Sequence, residues 1–377
     1  MNARRFWAVA RKEALHIRRD PRSLGLALGI PLLMILLFGY ALTLDVERVP
    51  LVVWDQGNTP ASRDFVAQFT GSRYFELRGA AEDHRAIEEA IDTGDAMLGL
   101  VVPATFAGDL GAGRPAPVQA IIDASDSNTA AIVLGYAEAV TQAYNDRVAL
   151  DQVQRLGRAR PAPALELRPR VWFNADLESR NFIIPGLIAV IMGLIAALLT
   201  SLTIAREWER GTMEQLIATP VRRSELILGK LAPSWVIGLL DVLLALALAV
   251  FLFDVPLRGS VGLLLGMAAI FILGTLAQGL LISIVTRQQL LASQLAMVST
   301  FLPAFLLSGF MFAIPNMPAV VQAVTYLVPA RYFVSLVKGI HLRGVGLEVL
   351  WPDALFLFLF ALIVTALAIT RFRKRLH

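Results

Sequence analysis

The sequence predicts a polytopic α-helical membrane protein with six transmembrane helices and an α/β domain inserted between the first and second. Three observations carry this. Of the 377 residues 56% are apolar, and the mean hydropathy of +0.63 exceeds that of an ordinary soluble domain. Residues 23–44 and 182–205 are uncharged, and 231–253 carry one Asp, so each run reaches the roughly 20 residues a bilayer-spanning helix needs. Charge also divides the chain: residues 45–179 hold 20 Asp and Glu against 12 Arg, whereas the remainder holds 22 basic against 10 acidic residues. The overall +4 therefore averages two unlike parts. Basic residues beside apolar spans indicate membrane topology rather than nucleic-acid binding.

Residues 1–22 read as a cytoplasmic amphipathic helix. On a helical wheel Arg4, Arg5, Arg11, Lys12, Arg18 and Arg19 share one arc, and Phe6, Trp7, Val9, Ala10, Ala14 and Ile17 fill the other side. Such a helix lies in the membrane interface, where anionic headgroups favour each Lys or Arg by about 1 kcal/mol. Trp7 joins the basic residues as an interface anchor. The uncharged run 23–44 is too long for a signal-peptide core of about 7–15 residues, and reads as a first span from inside to outside.

Residues 45–179 read as an extracytoplasmic α/β domain. Strands are expected at 49–54, 74–77, 97–102, 118–122 and 167–173, helices at 60–69, 82–92 and 128–156, and a Pro-rich loop at 158–169. Its carboxylates, such as Glu82, Asp83, Glu88, Glu89, Asp123 and Asp126, fall on helix faces and turns and read as solvated surface.

The second span is expected at 180–205, kinked near Pro185, and the third at 231–253. Asp241 lies near the middle of the third. The Leu, Ile, Val and Phe around it, at about −0.3 to −0.6 kcal/mol each, outweigh about +3 kcal/mol for one central Asp. It must face another helix or a wet cavity. Either it bonds a polar partner such as Gln278, Gln294 or Thr300, or it lines a water-filled path. These four are the translocation-path candidates. The fourth span follows at 261–285, with Gly266, Gly274 and Gly279 as close-packing positions, and Arg287 marks the next cytoplasmic turn. Residues 288–330 carry no charge; one helix of that length would be about 65 Å, twice the hydrocarbon thickness. It must break, and Pro315, Asn316 and Pro318 mark the place. A fifth span at 288–312, an outer re-entrant segment at 313–350 and a sixth span at 353–371 keep the basic tail of Arg371, Arg373, Lys374 and Arg375 inside.

No cysteine is present, and His16, His84, His341 and His377 are scattered without ligand spacing, which excludes thiolate chemistry and argues against a metal site. The chain has no G-x-x-x-x-G-K-[ST] loop, so ATP hydrolysis is not expected on it. It also lacks G-x-S-x-G and H-E-x-x-H. No catalytic residue is assigned.

Between the second and third spans stands a charged island, residues 206–230. Thr212 and Gln215 have capping-box spacing after Gly211, and Glu214 suits the positive end of a helix dipole. A short helix with Met213, Leu216 and Ile217 on one side should end at Thr219–Pro220. The basic residues of the island place it in the cytoplasm.

The wording ERGTMEQLIATPVRRSELILGKLAP resembles the coupling segment of ABC exporter permeases of the second type, in the six-span subgroup with a large extracytoplasmic domain after the first span. WFNADLESRNFIIPGLIAVIM at 172–192, FLLSGFMFAIPNMP at 305–318 and VPARYFVSLVKGIHLRGVG at 328–346 resemble the same subgroup. The resemblance implies multidrug- or lipid-efflux-like export driven by a separate ABC ATPase subunit on the cytoplasmic side, with ATP and Mg bound there and no cofactor on this chain. It implies that Glu207, Glu209, Gly211, Thr212, Glu214, Leu216, Thr219, Pro220, Glu225 and Lys230 couple to that subunit. A second permease protomer, identical or related, is expected, with a periplasmic adaptor as a further candidate partner. The implied location is the bacterial inner membrane, with both termini cytoplasmic. The alternative is a mechanotransmitter that uses ATPase power to move its outer domain without passing substrate; such proteins typically have four spans.

Overall fold

The computed structural model describes residues 2–41, 48–155 and 178–372. The expected strand at 167–173, the Pro-rich loop at 158–169 and the basic tail beyond residue 372 lie outside them. The chain separates into two compact units, one of residues 44–170 and one of residues 1–43 with 171–377.

The smaller unit holds a four-stranded sheet in the order β2-β1-β3-β4: β1 (Val49–Asp55) pairs in parallel with β2 (Phe75–Ala80) and β3 (Leu98–Val102), and β4 (Gln119–Ile122) is antiparallel to β3. All four described strands fall on expected runs. β3 is buried at all five positions, as suits a central strand covered on both faces. Leu51, Val53, Leu98 and Leu100 join Phe65, Phe69, Phe106, Val133 and Tyr144 in the larger core. Val52 and Val101 point the other way onto Ile87, following the two-residue period of a strand. The helices run α1 to α14 in chain order. In this unit they are α3 (Pro60–Thr70), α4 (His84–Asp92), α5 (Phe106–Gly111) and α6 (Ser127–Arg155). The six-residue α5 was not expected, being too short to show a period.

The larger unit begins with α1 (Ala3–Arg19) and α2 (Pro21–Ala41), and continues through α7 (Ser179–Glu209), α8 (Met213–Ala218), α9 (Arg223–Phe251), α10 (Val261–Thr286), α11 (Gln289–Leu307), α12 (Ala319–Thr325), α13 (Pro329–Lys338) and α14 (Leu347–Arg371). Among the described residues α7, α9, α10, α11 and α14 are long and apolar enough to cross a membrane. A sixth is reached if α12 and Pro329–Arg343, bent by 84°, count as one. The expected first span falls on α2, whose described apolar stretch Ala27–Ala41 is shorter than the roughly 20 residues of a full span.

Helix α7 is the axis of the unit, packed by α2, α9, α10, α11 and α13 and buried along most of its length. Small residues set its approach to α10: a Cβ on Gly279 would stand 2.1 Å from Ala197 O, and Thr200 Oγ1 donates to Leu276 O at 2.7 Å. Gly274 meets Phe360 in the same way, but a Cβ on Gly266 would meet nothing within 4 Å, which corrects its expected close-packing role.

The break in the long uncharged run comes earlier than the prolines suggest. α11 ends at Leu307, Gly309 takes φ +78, and a 3₁₀ turn spans Ile314–Asn316. A positive φ needs glycine at this reversal. Lys338 Nζ donates to Gly309 O at 3.0 Å, so α13 folds back against the break.

Candidate functional site

The charged island is shorter as a connector than as a sequence, because α7 runs into it as far as Glu209 and α9 begins at Arg223. Gly211 reverses the chain at φ +70. Thr212 is already helical after it and makes no side-chain cap; its hydroxyl donates back to Glu207 O at 3.4 Å. The expected capping box is therefore absent. Met213 is fully buried beneath α8 with Leu216 and Ile217 partly buried beside it, as the one-sided pattern predicts. Thr219 turns extended, and its hydroxyl donates to Leu216 O at 2.6 Å.

A buried ionic cluster ties this connector to its neighbours. Lys230, 3% exposed, places Nζ 2.9 Å from Glu207 Oε1 on α7 and 3.2 Å from Glu13 Oε2 on α1. Lys12 adds a looser contact to Glu207 at 3.6 Å. Glu225, also buried, accepts the backbone N–H groups of Asn2 at 2.6 Å and Arg222 at 2.9 Å, and Arg5 donates to Pro220 O at 2.6 Å. Charges in such a setting stay ionised only when paired and hydrogen-bonded. On the other side of α7, Glu209 accepts both the backbone and side-chain N–H groups of Gln289, and Arg287, at φ +56, lies 4.6 Å over the Trp208 ring. The connector and the α10–α11 turn thus meet at one end of the unit.

The ten residues expected to couple separate into two groups. Glu207, Glu225 and Lys230 point inward and brace the helices, Glu209 is spent on Gln289, and Leu216 and Thr219 shape α8. Gly211, Thr212, Glu214 and Pro220 are exposed and form the outer surface of the connector. Sequence reasoning missed Glu13, the single acid on an otherwise basic α1. That isolation was the available signal.

The apolar side of α1 is also spent on protein. Val9 and Ala10 are buried, and a Cβ on Gly229 of α9 would stand 2.8 Å from Val9 Cγ1. Lying wholly in a lipid interface would require that side to be free, so the expectation is corrected for this face. Trp7 remains 69% exposed, and Arg4, Arg11, Lys12, Arg18 and Arg19 are exposed around it.

Of the four path candidates the structure brings two together: Gln278 Nε2 donates to Thr300 Oγ1 at 3.4 Å. Gln294 is exposed on α11. Asp241 is 2% exposed, and its Oδ1 has no hydrogen-bond partner. It borders a small space with Gly238, Ile272, Leu276 and residues of α7.

The ABC-2 family transporter protein model matches residues 21–370, nearly the whole chain. The chain belongs to the ABC-2 transporter family. It is 40% identical over 374 residues to "Probable multidrug ABC transporter permease YbhS" of Escherichia coli K12, covering 99% of this chain and 98% of that one. It is 30% identical over 375 residues to "Probable multidrug ABC transporter permease YbhR" of the same organism, covering 98% and 99%. "Inner membrane transport permease YhhJ" matches at 27% over 337 residues, covering 88% and 86%. As an ABC-2 permease the chain is a membrane transport subunit rather than an enzyme, and in such systems a separate ABC subunit is the ATPase.

Proposed function

We propose that this ABC-2 permease exports an apolar or amphipathic compound from the cytoplasm or the inner leaflet, driven by ATP and Mg on an ATPase subunit docked against α8. The observation that supports this is the bracing of an exposed connector. Gly211, Thr212, Glu214 and Pro220 face outward, while Lys230 and Glu207 join α9 to α7 directly behind them. Force applied to α8 is therefore delivered to two spans at once.

Arg210, Arg222 and Arg223 on the exposed connector favour a cytoplasmic position. With α2 read as the first span, the proposed topology has both termini inside and the sheet domain outside, where a periplasmic adaptor would meet it. Gln294 sits among exposed Leu290, Leu291, Met297 and Val298 on α11. A polar side chain on such a face finds its partner across a helix–helix interface, which makes α11 the contact for a second protomer. The names of the two full-length relatives suggest a multidrug cargo.

The deciding experiment is Glu214→Arg in the assembled transporter. Export falls at least about tenfold and stimulated ATP hydrolysis is lost, while insertion is unchanged; normal coupled export in this variant sinks the assignment.

A further inference from the structure

A cleft of about 740 Å³ lies between α1 and α2 on one side and α7, α8 and α9 on the other. One stripe of α7 lines its length. Ile195, Leu199 and Leu202 stand at one end and Arg206 and Arg210 at the other, a run of about 22 Å at 1.5 Å per residue. The opposite wall changes in the same direction, from Ile30 and Ala27 to Asp20, His16 and Lys12. Both walls therefore pass from apolar to charged together, as the axis of an amphiphile does.

The charged end opens into a second hollow of about 760 Å³ that shares Lys12, His16, Asp20, Arg206 and Arg210, and adds Arg11 and Arg19. Five cationic residues and one acid line this mouth. Deeper in the cleft Glu13 and Glu207 hold Lys230, and Glu207 also meets Lys12 at 3.6 Å, so Arg11, Arg19, Arg206 and Arg210 against Asp20 leave the mouth positive. Beside Ile195, Leu199 and Ser234 at the apolar end lies a further space of about 10 Å³ next to Asp241, room for no more than one water.

We propose that this cleft holds an anionic phospholipid, its phosphate between Arg19 and Arg210 at the mouth and one acyl chain along Ile195 and Leu199. The cleft volume falls within the roughly 300–1,000 Å³ of small-molecule sites, and arginine suits phosphate through its planar fork of donors. The inference uses the membrane reading of α7 but no step of ATP-driven export.

The test is native mass spectrometry of the full chain in neutral detergent, with phosphatidylglycerol and phosphatidylcholine of matched chains supplied together. Phosphatidylglycerol should be retained by about tenfold over phosphatidylcholine, as expected for a few headgroup-facing cations. Arg19→Gln with Arg210→Gln should remove that preference. Leu199→Trp, which fills the apolar end, should remove the adduct while circular dichroism and size-exclusion profiles stay native. Equal retention of both lipids, or an adduct insensitive to both variants, overturns the proposal. Displacement by millimolar inorganic phosphate alone also overturns it, since the site then reads the ion and not the lipid. The assay contains no ATPase, so its failure leaves the export reading standing.

Discussion

Lys230 and Glu207 meet at 2.9 Å across the chain reversal that links α7 to α9. Twenty-three residues of sequence separate them, and Glu13 on α1 completes the cluster from much further away at 3.2 Å. One ammonium group thereby holds three helices.

Lys230→Met removes the group that bridges those carboxylates, which are 13% and 12% exposed, and leaves Glu207 only the looser contact with Lys12 at 3.6 Å. Breaking such a pair costs about 3 kcal/mol, so the melting temperature in detergent should drop by several degrees. Adding Glu13→Gln and Glu207→Gln to Lys230→Met should recover most of the loss. An unchanged melting curve in the single variant would show that water screens the cluster.

Gly279→Ala and Gly266→Ala form a matched pair on one helix. The first places a methyl 2.1 Å from Ala197 O, the second meets nothing within 4 Å. Overpacking of this kind costs about 1–3 kcal/mol or more, whereas Gly266→Ala should be neutral or slightly stabilising through helix propensity. Thermal unfolding of the two purified variants checks this, and equal stabilities would refute the α7–α10 packing described above.

Asp241 is buried without a partner for Oδ1, which costs about 1–3 kcal/mol for a polar group. Asp241→Leu should therefore raise thermal stability while lowering export, the pattern of a group retained for function. Asp241→Asn keeps the shape without the charge, and an equal loss of export would assign the role to the carboxylate. Full export in both variants would leave Asp241 without a function.

Because the sequence contains no cysteine, single cysteines report sidedness directly. Those at Ser125 and Asn316 should react with an impermeant maleimide from outside, and that at Thr212 only after the inner membrane is breached. External labelling at Thr212 would invert the proposed topology.

Much of this architecture was legible because its signals are local. Uncharged runs predict α10 almost to both ends, whereas α7 ends four residues later and α9 begins eight residues earlier than expected because both helices continue into the charged island, and alternation predicts the four described strands within three residues. Gly211 and Thr219–Pro220 mark both ends of α8. What escaped depends on partners distant in sequence or on backbone angles. Glu225 and Lys230 look like surface charges until α1 is seen to cover them, and Gly266 looks like a contact until its neighbours are placed. Gly309 outranked Pro315 because a reversal needs positive φ before it needs a helix breaker. Asp241 was legible as an oddity, but its lack of a partner was not.

The backbone N–H of Asn2 reaches Glu225, and this has a consequence for biogenesis. At roughly 5–20 residues per second, a ribosome delivers the receiving helix about 10–45 s after the amino-terminal one. Through that interval Val9 and Ala10 must shelter somewhere other than their final seat, and the surface of the inner leaflet is the nearest apolar refuge. The same helix would thus serve first as a tether to lipid during synthesis and only later as the clamp on α9.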